Sequence, residues 1–442
     1  MTASELAPPS TTAPPRPGGE SRGKAWGFTG LLVLLYVINW GDKAIFGLVA
    51  QPLGEELGLS ASQIGLVGSA FFLTFTVGGF FAGLLDKWLT LRWSLVVLAL
   101  AWAASMLPLV VVASFAILLV SRMVLGLAEG PSGALVHAGV YTWHPPEKRG
   151  LPSACITAAA SIAKILIAPA LAVVVAIWGW RAAFLTLAVA GVAWCAVWLL
   201  TWRDGPYGER SRKAAAAPGE AETPRVPWSA IFRTPTFLGG TVAIFAMYSL
   251  VTVVLTWLPS YFEVGLGYSR VQAGVMFGFP SIAGLVFLFL STSIGDRLLV
   301  RGASSRVLRG VVPSIGLLLC GLTLVTLPAI DVPLVAVVVV SVGYGIGTIV
   351  FPLFNAGLSE ICPPKQIAGA LGVFLGIMSV GGVIAPYLTG VIVDRAADPA
   401  AGYALAFQVF GIAAVVGGVV ALLTVNPVRD ARRVRGEQPA AG

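Results

Sequence analysis

The chain has 442 residues, of which 57% are apolar and only 11% charged, with a mean hydropathy of +0.89. A soluble protein of this size would be about one quarter charged, so the composition excludes an ordinary soluble enzyme and points to a membrane. The net charge of +8 would suit nucleic acid if it lay in a folded basic domain, but its distribution along the chain does not support that.

The N-terminal stretch MTASELAPPSTTAPPRPGGESRGK is rich in Pro, Ser, Thr and Gly and lacks an apolar core. It reads as a disordered cytoplasmic tail over 1–25, not a cleavable signal. Twelve predicted spans follow at 26–50, 62–84, 92–112, 115–141, 151–178, 182–202, 237–261, 271–294, 307–328, 332–358, 367–392 and 402–425. Placing both termini in the cytoplasm puts 22 of the 28 Lys and Arg on the inner side, leaving Arg181, Arg270 and Arg395 outside and Lys43, Arg122 and Lys164 within spans. That is the positive-inside bias, so the basic balance is topological. It predicts a multi-pass protein of the cell membrane with both termini cytoplasmic, and no nucleic-acid partner. Cys155, Cys195, Cys320 and Cys362 lack metal-ligand spacing, so neither a disulfide framework nor a metal site is expected.

The polar segment 203–236 divides the spans six and six and reads as a cytoplasmic linker. It separates an N-terminal bundle over 26–202 from a C-terminal bundle over 237–426, with a second cytoplasmic tail at 427–442. The halves share motifs in the same order. Pro145-Pro146 and Lys148 precede Pro169 in IAPALAVVV, as Pro363-Pro364 and Lys365 precede Pro386 in IAPYLTGVIV. Asp86-Lys87 after the second span matches Asp296-Arg297 after the eighth. A duplicated six-helix unit explains all three correspondences.

On NWGDK (39–43), RMVLGLAEGP (122–131), WGWRAAF (178–184) and TWLPSYF (256–262), the region from about residue 26 to 426 resembles the major facilitator superfamily. It is most similar to that superfamily's anion:cation symporter branch. The resemblance implies an all-α integral membrane protein of twelve helices in two pseudo-symmetric six-helix bundles, working as a monomer without cofactors. It also implies a gating loop at Asp86, Lys87 and Arg92, repeated at Asp296 and Arg297. The loop is degraded here, because Ala82 and Leu89 stand where the superfamily carries glycines.

Arg122 and Glu129 are two helical turns apart and share one face of the fourth span, with Gly126 between them. A charge at this depth costs from about 3 to over 10 kcal/mol, so it faces a cavity or a partner. One reading is a structural ion pair that locks two helices. The other has Arg122 hold a substrate carboxylate through its bidentate fork, with Glu129 carrying a proton; the resemblance implies these same roles. Asp42 and Lys43 sit in the first span beside Tyr36 and Asn39, and either snorkel at an interface or belong to the site. The family has Asp-Arg here, the Asp titrating and the Arg contacting the anion, so Lys43 supplies a point charge in place of a fork. Lys164 lies about 20 Å from either end of its span, beyond the reach of snorkelling. It is either paired with Asp42 or Glu129 or kept neutral, or else it is a second cationic contact for a dicarboxylate. His137, eight residues after Glu129, is either a proton relay or a packing residue.

The C-terminal candidates are uncharged: Tyr248, Thr252, Tyr344, Asn355 and Ser379, with Thr256 and Thr348 beside them. Leu375 and Ser379 stand where sugar-acid carriers of the branch have asparagines, which leaves aromatic and short organic acids open. No H-E-x-x-H, P-loop or G-x-S-x-G motif is present. The expected function is proton-coupled uptake of an organic anion, with protons and the lipid bilayer as the other partners. The alternatives are an exchanger or exporter of the same fold, or a transporter-like receptor.

Overall fold

The computed structural model describes residues 22–207 and 226–435, apart from 83, 84, 86, 87, 146, 147, 364 and 365. Among the described residues every regular element is helical. The first helix, α1 (Arg22–Leu57), runs several residues past the predicted span because Pro52 is accommodated within it. Ser60 then caps α2 (Ala61–Gly79), its hydroxyl accepting from the Gln63 amide while the Gln63 side chain accepts from the Ser60 amide. This reciprocal pair satisfies two of the amides a helix start leaves open. Next come α3 (Leu91–Val111) and α4 (Phe115–Trp143).

The continuous helical stretch Gly150–Thr201 has 52 residues, about 78 Å at 1.5 Å per residue against a hydrocarbon core of about 30 Å. It cannot be one crossing. Gly179, at φ 81° and ψ 170°, turns the chain there, a conformation open to glycine, giving α5 (150–178) and α6 (180–201). The eleven long apolar helices are therefore twelve crossings, the rest being α7 (Pro235–Gly265), α8 (Arg270–Gly295), α9 (Val307–Ala329), α10 (Pro333–Ile361), α11 (Gly369–Arg395) and α12 (Pro399–Thr424). A polar helix, α13 (Pro427–Arg435), closes the described chain.

The halves repeat in their irregularities as well. The helix α4 is interrupted at Gly130–Pro131, and α10, its counterpart six helices later, at Thr348–Ile349. Pro131 supplies no amide to the ladder, and a Cβ on Gly130 would lie 2.3 Å from the Phe75 carbonyl on α2. Gly126 likewise lies against the α2 backbone at Phe71.

The most buried crossings are α1 and α7, the first helix of each half. The outer faces of the other helices present leucines, valines and phenylalanines such as Phe289 and Leu200, as a lipid-facing surface does. The two bundles meet along α1 with α7, α2 with α11, and α5 with α8. Their closest junctions lie at the end away from the chain termini. Both oxygens of Asp394 accept from the Ala61 and Ser62 amides at 2.8 Å. Gln51 donates to the Tyr403 hydroxyl at 2.9 Å, and the Tyr387 amide donates to Ser69 Oγ at 3.0 Å.

Candidate functional site

The centre of the molecule holds five buried ionisable side chains: Asp42, Lys43, Arg122, Glu129 and Lys164. Tyr36, Asn39 and Lys43 lie three and four residues apart on α1, so they share a face. That face meets the Arg122–Glu129 stripe of α4. The Lys43 ammonium donates to Glu129 Oε2 at 2.5 Å and to Asn39 Oδ1 at 2.6 Å. It also sits over the rings of Phe75 at 5.0 Å and Trp40 at 5.1 Å. The side chains of Lys43 and Glu129 are 4% and 0% exposed, so Lys43 does not snorkel. An ion pair so deep offsets two desolvation costs and joins α1 to α4.

Arg122 engages its surroundings differently. Its Nη1 donates to the backbone carbonyl of Asp42 at 2.9 Å, and its guanidinium lies over Phe46 at 4.5 Å and Phe184 at 5.5 Å. Nη2 and Asp42 Oδ1 are buried without a hydrogen-bond partner in the protein. Half of the planar fork is thus held and half is open, and each open polar atom costs about 1–3 kcal/mol until it is met. Lys43, Phe46, Phe72, Arg122 and Thr256 line a small enclosed cavity between α1, α2, α4 and α7, with room for about one water.

Lys164 is 7% exposed and lies in a π-helical turn, Ala163–Ile167. It pairs with neither Asp42 nor Glu129. Its ammonium stands 5.7 Å from the centre of the Tyr344 ring, on the opposite bundle. Tyr248 is half-buried and edge-on to Phe72 at 6.4 Å.

The remaining predicted positions are more scattered. Thr252 turns its hydroxyl to the Ser249 carbonyl at 2.9 Å, and Ser379 turns its own to the Leu375 carbonyl at 2.9 Å, so both hydroxyls are used within their own helices. Asn355 Oδ1 is buried without a partner, in the segment of α10 after its break. His137 Nδ1 bonds the Gly133 carbonyl one turn back at 2.8 Å, and no described hydrogen bond links it to Glu129. Arg92 donates to the Leu199 carbonyl on α6, while Arg297 is exposed in the helical turn that follows α8. Asp86, Lys87 and the side chain of Asp296 lie outside the described residues.

Two features escape a reading of the sequence. Asp394 looks like a charge at a span border, yet it caps α2 of the other half. The aromatic floor under Lys43 and Arg122 comes from ordinary-looking span residues, because phenylalanine in a membrane helix is unremarkable until its neighbour is known.

Comparison with known proteins agrees with this architecture. The model of the Major Facilitator Superfamily matches residues 32–355 and 304–441. The probable sulfoacetate transporter SauU of Cupriavidus necator is 28% identical, over 90% of this chain and 93% of that protein. The hexuronate transporter of Bacillus subtilis is 26% identical, over 90% and 94% respectively. Among solved structures, a bacterial homologue of the human lysosomal transporter Spinster, inward-facing and unoccupied, superposes with a TM-score of 0.75 at 17% identity. That match covers 96% of this chain and all of the other. With twelve crossings in two halves and a charged centre between them, the chain belongs to the Major Facilitator Superfamily and is a membrane transporter, not an enzyme.

Proposed function

We propose that the protein is a proton-coupled symporter that takes up an organic anion by alternating access, acting as a monomer in the cell membrane with both termini cytoplasmic. The observation that carries this reading is the buried charge cluster at the meeting of the bundles, in which Arg122 is only half engaged beside an ion pair that contains a carboxylate. Relatives named for sulfoacetate and hexuronate transport support the substrate class, since both are organic acids.

The open side of the Arg122 fork takes one oxygen of the substrate carboxylate, where its geometry outperforms a point charge. A proton arriving on Glu129 releases Lys43 from its pair and frees an ammonium to face the same anion. Asp42 is the second proton site, and Tyr36, Asn39, Tyr248 and Tyr344 shape the space between the halves. With the termini cytoplasmic, the end closed by Asp394 and Gln51 faces outward, so the path to the site opens inward. His137, on the α4 segment that leads toward the terminal end, is placed to pass protons out. The loop residues Asp86, Lys87, Arg92, Asp296 and Arg297 close the inner end in the opposite phase. The division into two six-helix units joined by a cytoplasmic linker belongs to this reading, with helix α1 starting at Arg22 and α7 at Pro235, a few residues before the borders drawn from the sequence.

Proteoliposomes with a trapped pH dye test this. Addition of a transported anion should acidify the lumen in step with uptake, and Arg122→Ala should abolish both. Uptake with no pH change would contradict symport and favour exchange.

A further inference from the structure

We propose that Lys164 is a second anchor for substrate, so that the carrier selects dianions over monoanions of equal length. This rests on the organic-anion reading above and gives it a substrate class.

Charge accounting inside the site comes first. Three cations, Lys43, Arg122 and Lys164, face two acids, Asp42 and Glu129. Glu129 is committed to Lys43 at 2.5 Å, while Arg122 holds only the neutral backbone carbonyl of Asp42, whose carboxylate Oδ1 is left without a hydrogen bond. Lys164 has neither: among the described residues its ammonium makes no hydrogen bond or ion pair, only its contact with Tyr344. It is 7% exposed and about 20 Å from either end of α5, so its ammonium cannot reach the membrane surface. A buried, uncompensated cation is costly. Loading protons on Asp42 and Glu129 raises the excess from one to three, and a single carboxylate on Arg122 then leaves Lys164 unmet. An anion with charges at both ends meets both cations.

The backbone is built around this residue. The π turn at Ala163–Ile167 resets the helical register there, as such turns do at functional positions. Opposite it α8 breaks at Phe277–Gly278. A Cβ on Gly278 would stand 3.1 Å from the Lys164 carbonyl, so the two irregularities meet across the bundle junction. Aromatic rings connect the two anchors. Phe72 lines the Arg122 cavity and lies edge-on to Tyr248 of the opposite bundle, and Tyr344, also of that bundle, lies under Lys164. A dianion lying along these rings would tie Arg122 of one bundle to the Tyr344 face of the other.

The test uses the purified full-length protein in nanodiscs, titrated calorimetrically with malonate, succinate and glutarate and with the monoamide of each. Each pair shares its length and differs by one charge. The wild type should bind the best dicarboxylate about tenfold or more tightly than its monoamide, the scale of one charge-assisted hydrogen bond. Lys164→Met, which suits a bilayer interior, should bring the ratio to within about twofold while monoamide affinity holds, and Lys164→Arg should keep the discrimination. Equal wild-type affinity for both members of each pair, or a ratio unchanged in Lys164→Met, overturns the inference and leaves the anion reading standing. No binding of any carboxylate would sink both.

Discussion

The Lys43–Glu129 pair decides how the centre of the molecule is held. It is nearly sealed from solvent at 4% and 0% exposure, and one Glu129 oxygen has no protein hydrogen bond. Removing one partner of such a pair leaves a buried, uncompensated charge, a loss of about 3–5 kcal/mol, whereas replacing both is often neutral. Lys43→Met should therefore lower the unfolding free energy in mixed micelles by about that amount. The double variant Lys43→Met/Glu129→Gln should recover to within about 1 kcal/mol of wild type. A Lys43→Met protein as stable as wild type would mean that Glu129 is already neutral in the resting state and the pair contributes nothing.

At the scale of elements, the two bundles are joined by backbone rather than by bulk. Asp394 sits at the end of α11 and caps α2 of the other half with both oxygens at 2.8 Å. A side-chain cap contributes about 0.5–2 kcal/mol, and this one is present only while that end of the molecule is closed. Asp394→Ala should shift the population toward the form open at that end. Electron-spin distances between labels at Leu59→Cys and Ala397→Cys read it directly: a longer component should grow about tenfold relative to the parent. An unchanged distribution would show that the close contacts of α2 with α11 hold the closure alone. The junction of α4 with α2 is a harder constraint. With a Cβ at Gly130 falling 2.3 Å from a backbone carbonyl, Gly130→Ala should cost about 1–3 kcal/mol and widen the spacing of the two helices.

For the whole molecule, much of the architecture can be read from residues alone, because bilayer thickness sets span length and loop charge sets topology. The twelve crossings and the depth of Lys164 follow from such counting. Partners do not. That Lys43 is taken by Glu129 while Lys164 stands alone depends on which face of α1 meets α4, and a uniformly apolar helix carries no amphipathic stripe to declare its faces. The cap by Asp394 joins residues more than 330 positions apart, and periodicity within one helix carries no trace of it. The π turn at Lys164 is equally silent in sequence, since its neighbours are ordinary span residues.

The central claim is that anion and proton are held by different groups in one site, and Glu129→Gln in proteoliposomes tests it most directly. On the proposed assignment Arg122 still holds the anion, so the variant should exchange labelled substrate between equal pools at a rate within about threefold of wild type. On the same assignment it loses the coupling group, so it should not accumulate substrate above equilibrium when an inward proton gradient is imposed. Accumulation by Glu129→Gln at the wild-type level would contradict the account.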